Sequence, residues 1–99
     1  MQFVVIAYDG TDEDALKRRL AAREAHIALG DKMVAAKKHL YGVALLGDDD
    51  KMIGSVMVVD FPSREGLDAW LAIEPYVLGN VWQKIEITPC KVGPSFLRV

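Results

Sequence analysis

Residues 2–8, QFVVIAY, set Phe3, Val5 and Ala7 on one side of an extended segment and Val4, Ile6 and Tyr8 on the other, and the run stops at Asp9-Gly10. A β-branched and aromatic run with two apolar faces predicts a strand covered on both sides. Thr11 or Asp12 can cap a helix there, with Glu13 and Asp14 favouring its N-terminus. From that point to about Lys38 the chain is rich in Ala, Leu, Lys, Arg and Glu, all good helix formers, and Gly30 marks a candidate bend or break. HLYGVALLG and KMIGSVMVVDF read as two strands joined by the turn GDDDK. Pro62-Ser63 opens a second, shorter helix, SREGLDAWLAI, in which Leu67, Trp70 and Leu71 fall at helical spacing. Glu74-Pro75 ends it, because a residue before proline is pushed away from helical geometry. YVLGNVW predicts a short turn of helix. WQKIEITPCKV reads as the last strand, its Ile85 and Ile87 alternating with Lys84 and Glu86 across one wet face.

The order β-α-β-β-α-β, with right-handed crossovers, predicts an α+β, ferredoxin-like fold: a four-stranded antiparallel sheet with two helices on one face. Helices on one side leave the other apolar face of the sheet in water, and a patch of that size marks an interface. The expectation is a homodimer whose sheets face each other around a barrel-like core; the short tail PSFLRV is the weaker rival as a cover.

A chain of 99 residues is one domain's worth, read here as a single domain over 1–99. The net charge of −2 gives no electrostatic reason to expect nucleic acid or an anionic membrane. The opening apolar run is too short for a membrane span and lacks the basic start of a signal peptide. With one cysteine, Cys90, no disulfide can form within the chain, so the expected home is the reducing cytoplasm.

Candidate chemistry sits in the first helix, in AAREAHIALG. At about 100° per residue, Leu16, Leu20, Ile27 and Val34 make one stripe, with Arg23 inside it and His26 on its edge. An arginine on a core-facing stripe either snorkels to water past the sheet rim or finds an acidic partner, since an unpaired buried charge costs several kcal/mol. A histidine there is either a satisfied boundary residue or a proton-transfer group.

The pattern Arg23-Glu24-Ala25-His26, then Gly54-Ser55 in the third strand, then Glu74-Pro75-Tyr76 after the second helix, and finally WQKIEITPCKV, resembles the YciI-like family over nearly the whole chain. The resemblance implies a dimeric α+β barrel related to muconolactone isomerase-like proteins, in a family that includes dehydrochlorinases acting on small ring compounds. It implies a histidine–acid dyad, His26 and Glu74, in a pocket between helix and sheet, with Arg23 and Ser55 beside it as substrate binders. Tyr76, next to the acid, either donates a hydrogen bond to a substrate or simply packs, and with no flavin, nicotinamide or haem motif in the chain no cofactor is expected. Two positions depart from the pattern. Glu74 stands where aspartate is usual, and an added methylene can displace a carboxylate by about an ångström, enough to matter to rate. Leu46-Gly47-Asp48-Asp49 replaces the usual Gly-Pro after the second strand, at the expected lip of the pocket.

The dyad has a clear physical logic. Imidazole exchanges a proton near neutrality, and a carboxylate on its other nitrogen fixes the tautomer and stabilises the charged ring. Arg23 suits a substrate carboxylate or phenolate. The resulting expectation is a cofactor-independent enzyme of elimination, isomerisation or dehydrochlorination on a small cyclic hydroxylated or carboxylated compound. Its alternatives are a non-catalytic dimeric small-molecule-binding or regulatory module and, least supported, a cofactor-free monooxygenase. Other signals carry less. Asp48-Asp49-Asp50 lacks calcium-loop spacing, and two scattered histidines with one cysteine make no zinc set, so no metal is expected. His39 reads as a helix C-terminal residue favoured by the dipole, and Trp70 and Trp82 as core or interface residues.

Overall fold

The structure is a computed structural model that describes residues 1–96. Its elements are β1 (Gln2–Asp9), α1 (Ala15–Ala35), β2 (His39–Leu46), β3 (Met52–Asp60), α2 (Arg64–Leu71), α3 (Pro75–Leu78) and β4 (Trp82–Cys90), then one 3₁₀ turn at Pro94–Phe96. The strands pair antiparallel in the order β2-β3-β1-β4, the ferredoxin-like arrangement that the alternation predicts. Part of the tail PSFLRV, considered as a cover for the sheet, lies outside the described residues.

Phe3, Val5 and Ala7 of β1 face the helices, in register with Val59, Met57 and Ser55 of β3 and with Pro89, Ile87 and Ile85 of β4. They share one core with Leu67 and Trp70 of α2, Tyr76 of α3, and Val81 and Trp82, while Ala22, Leu29 and Met33 of α1 close over it. Burial of each large apolar side chain contributes about 1.5–3 kcal/mol. Ser63 caps α2 by accepting the Gly66 N–H, the local signal read at Pro62-Ser63. At Gly54 a Cβ would sit 2.6 Å from the Ala7 carbonyl oxygen, so only glycine lets β3 approach β1 this closely beside Ser55. The opposite sheet face carries half-buried Val4, Ile6, Val56 and Val58 beside exposed Tyr41 and Val43.

Helix α1 departs from expectation in several ways. Neither Thr11 nor Asp12 caps it: Asp14 is the N-cap, without a side-chain bond, and Asp12 accepts two hydrogen bonds from Arg18 instead. The helix runs through Gly30 without a break and ends at Ala35 rather than near Lys38, the chain turning at Lys37 with φ 60°. The Leu16/Leu20/Ile27/Val34 stripe is not the docked face; Leu20, Ile27 and Val34 are 54%, 43% and 60% exposed. Arg19, Ala22, His26, Leu29 and Met33 face the sheet, and Arg23 is exposed. The reason is electrostatic: Asp9, Ser55 and Glu74 are buried under this helix, and only the face bearing Arg19 and His26 supplies their partners.

His39 is also not a helix-end residue. It opens β2 opposite Val59, is buried, and packs edge-on against Trp70 at 4.6 Å with no hydrogen-bond partner for either ring nitrogen among the described residues. Burial pushes its pKa down to about 4, with the nearby Glu74 charge opposing and His26 adding to the depression. The ring is therefore neutral in the fold at pH values where the unfolded chain binds a proton. Its contribution is intact above the ordinary histidine pKa and is lost as pH falls from there to about 4, by roughly 3 kcal/mol. Urea unfolding across that window should show the loss in the native chain and much less of it in His39→Leu. Equal slopes in the two proteins would contradict this account of His39.

Candidate active site

The site is built from Glu74 outward. Proline at position 75 forces Glu74 into extended geometry (φ −66°, ψ 121°) at the N-cap of α3, and its carboxylate turns back into the core, where the residue is 1% exposed. Three donors meet it: Tyr76 N on Oε1 at 3.2 Å, Trp70 Nε1 on Oε2 at 3.0 Å, and His26 Nδ1 in a short contact with Oε1. The backbone amide and the indole can only donate, so the oxygens serve as acceptors and Nδ1 supplies the third hydrogen. His26 Nε2, on the far side of the ring, has no hydrogen-bond partner among the described residues and is not sealed from solvent. The imidazole stacks on the Tyr76 ring at 3.9 Å, with Trp82 edge-on at 5.9 Å.

A second buried network lies beside the first. Asp9, at the end of β1, receives Arg19 Nη1 at 3.0 and 3.1 Å. Arg19 Nη2 donates to Ser55 Oγ at 3.0 Å, and Trp82 Nε1 donates to the same oxygen at 3.2 Å. The guanidinium also lies 4.8 Å from the Tyr76 ring centre. Arg19 and His26 are about two turns apart on α1, and the Tyr76 ring fills the space between them. Burial lifts the Asp9 carboxyl above its ordinary pKa, with the Arg19 charge and hydrogen bond opposing. Burial likewise raises the Tyr76 hydroxyl, which stays protonated at neutral pH.

Between α1 and the β2–β3 side of the sheet a cavity of about 300 Å³ opens, lined among others by Arg19, Arg23, His26, Ser55, Met57 and Tyr76. The five residues singled out by sequence are thus distributed as follows. His26, Glu74 and Tyr76 touch one another; Ser55 and Tyr76 line the cavity with His26; Arg23 stands exposed at its mouth; Glu74 lies behind His26 as its partner. The extra methylene of Glu74 does not separate the pair. Sequence reasoning overlooked Asp9, Arg19 and the hydrogen-bonding role of both tryptophans. The signals were present: alternation after Phe3, Val5 and Ala7 puts Asp9 next on the helix-facing side, and Arg19 precedes His26 by two helical turns. Among the described residues no group of three potential metal-ligating side chains occurs.

Residues 1–91 match the YCII-related domain family. The chain belongs to that family. It is 28% identical over 97 residues to Protein YciI of Escherichia coli O6:H1, covering 92% of this chain and 97% of that protein. Among solved structures, the 5-chloro-2-hydroxyhydroquinone dehydrochlorinase TftG of Burkholderia phenoliruptrix AC1100, in complex with 2,5-dihydroxybenzoquinone, superimposes with a TM-score of 0.81 at 22% identity, covering 96% of this chain and 98% of that one. A dimeric ferredoxin-like protein of unknown function from Jannaschia sp. CCS1 gives 0.55 at 13% identity over 92% and 98%. At these identities the likenesses establish the fold. For this YCII-related chain no described helix is long and apolar enough to cross a membrane.

The Asp9–Arg19 pair is buried on both sides, its side chains 2% and 4% exposed. Removing one member leaves an uncompensated charge, so Arg19→Met should lower stability by about 3–5 kcal/mol in urea unfolding. Asp9→Leu combined with Arg19→Met should recover most of that loss. A single variant within about 0.5 kcal/mol of the native chain would contradict the pairing.

Proposed function

We propose that this YCII-related chain is a cofactor-independent acid–base enzyme that processes a small cyclic compound bearing hydroxyl or carboxylate groups, by elimination, isomerisation or dehydrochlorination. The observation that carries the reading is the division of labour on one ring: His26 Nδ1 rests on a buried carboxylate that accepts two further hydrogen bonds, while Nε2 has no partner among the described residues and the ring borders a cavity. That arrangement is what proton transfer by imidazole requires.

In an elimination, Nε2 takes a proton from a ring C–H or O–H, the electron pair left behind expels the leaving anion, and the imidazolium is stabilised by Glu74. For a chlorinated ring the net change is loss of a proton and a chloride, with no oxidant or reductant required. In an isomerisation the same nitrogen returns the proton to another atom. Arg23 at the mouth holds a substrate anion, Ser55 contacts a ring oxygen, and Tyr76, kept protonated, packs beneath the imidazole and borders the ring-sized space. The solved dehydrochlorinase in complex with 2,5-dihydroxybenzoquinone supports a substrate of that size and chemistry. We further place two copies with their apolar sheet faces together, which would cover Val4, Ile6, Val56, Val58 and Tyr41; the active unit is a homodimer.

Assay of chloride release from 5-chloro-2-hydroxyhydroquinone and related rings tests the reading. His26→Ala should lower kcat by about 10²–10⁴-fold. Glu74→Gln should lower it by about 10²-fold or more while leaving KM within a few-fold, because it removes the charge that stabilises the imidazolium and sets an amide NH2 where one carboxylate oxygen accepted a hydrogen bond. Turnover unchanged by His26→Ala would remove the proposed base. Tight binding without turnover across the series would favour a non-catalytic binding module.

A further inference from the structure

The Ser55 hydroxyl is surrounded in an unequal way. Its oxygen is approached by Arg19 Nη2 at 3.0 Å and by Trp82 Nε1 at 3.2 Å. Guanidinium and indole nitrogens carry hydrogens and cannot accept, so both contacts consume lone pairs of Oγ. An alcohol oxygen has two lone pairs and one hydrogen. With both lone pairs engaged, the hydrogen is all that Ser55 has left to offer, and no acceptor among the described residues takes it. The residue is buried, yet it lines the cavity beside His26. Neither partner can turn away cheaply: Arg19 is pinned by Asp9 through two contacts, and Trp82 is a core residue at the start of β4. Arg19 Nε is a further buried donor without an acceptor, so the local imbalance is one of excess donors.

We propose that Ser55 is an obligate hydrogen-bond donor to the substrate, and that Asp9, Arg19 and Trp82 are positioning residues whose function is to keep it so. The cavity therefore favours, at this point, a strong oxygen acceptor, an enolate, phenolate, carboxylate or quinone carbonyl, over a neutral hydroxyl oxygen, which accepts more weakly, and over an aryl amine, which offers hydrogens and a poor acceptor. In the reaction proposed above, negative charge develops on a ring oxygen when His26 removes a proton, and a donor fixed in advance stabilises that charge more than the uncharged ground state. This inference rests on that reading for the identity of the cavity as the substrate site, and it adds the polarity of one recognition point together with three residues that enforce it.

The test uses two ligands of one shape, pentafluorophenolate, which is ionised at neutral pH, and pentafluoroaniline, with binding to the intact protein followed by ¹⁹F NMR. The native chain should prefer the phenolate. In Ser55→Ala that preference ratio should fall by about tenfold, the effect of losing one hydrogen bond to a charged group. In Trp82→Phe it should also narrow, but through a gain in aniline binding, because a freed lone pair lets Ser55 accept. Charge at Arg23 is common to all three proteins and cancels from the comparison. An unchanged ratio in Ser55→Ala, an equal loss of both ligands, or no binding by the native protein would overturn the proposal. A preserved preference alongside failure of His26→Ala to affect turnover would sink the acid–base reading and leave the donor site standing.

Discussion

A carboxylate with almost no solvent contact must have its lone pairs met by the protein, and Glu74 meets that demand by drawing one donor from each of three helices: His26 of α1, Trp70 of α2 and the Tyr76 amide at the start of α3. Much else follows from this requirement. It fixes which side of α1 faces the sheet, it holds the imidazole in one orientation, and it places the α2–α3 corner against α1. Proline at position 75 prepares the arrangement locally, since the extended geometry it imposes on Glu74 is what lets the side chain fold back and cap the helix it precedes. Loss of any one donor would leave part of a buried charge exposed to an apolar surround, so the three elements are coupled through a single group.

The cavity consequently has two chemically distinct walls. On one, an imidazole backed by an acid turns toward the cavity an Nε2 that has no partner among the described residues. On the other, Asp9, Arg19 and Trp82 converge on Ser55 and leave a hydrogen pointing away from all of them. Tyr76 separates the walls and touches both, stacked under His26 and beneath the Arg19 guanidinium. The hydrogen bonds these networks do make restrict how far their members can move, while Arg19 Nε and the Ser55 hydrogen are left without an acceptor among the described residues.

The fold was legible because strand alternation and helix punctuation are local signals. β1 alternates cleanly, Ser63 and Pro75 bracket the second helical region, and the hairpin turns at its acidic tip. His26 and Glu74 were singled out through a family resemblance carried by short motifs, and their side chains share a hydrogen bond in the fold. The docked face of α1 was not legible from its apolar stripe. Leu20, Ile27 and Val34 look like a core face, yet the helix turns Arg19 and His26 inward, because the sheet beneath it presents carboxylates and a hydroxyl. Periodicity weighs hydrophobicity alone; here the partner's polarity decides. For the same reason His39 reads as a helix-end cation from its lysine neighbours but enters the core as a neutral ring on Trp70.

The direct probe of this account is the position of one proton. With the His26 side chain labelled with ¹⁵N, NMR at a pH where the ring is neutral reports which nitrogen carries hydrogen. Anchoring by Glu74 predicts protonation at Nδ1, with Nε2 bare toward the cavity. A ring protonated mainly at Nε2, or divided between the two tautomers as in free imidazole, would contradict the central claim that a buried acid holds this histidine ready for proton transfer.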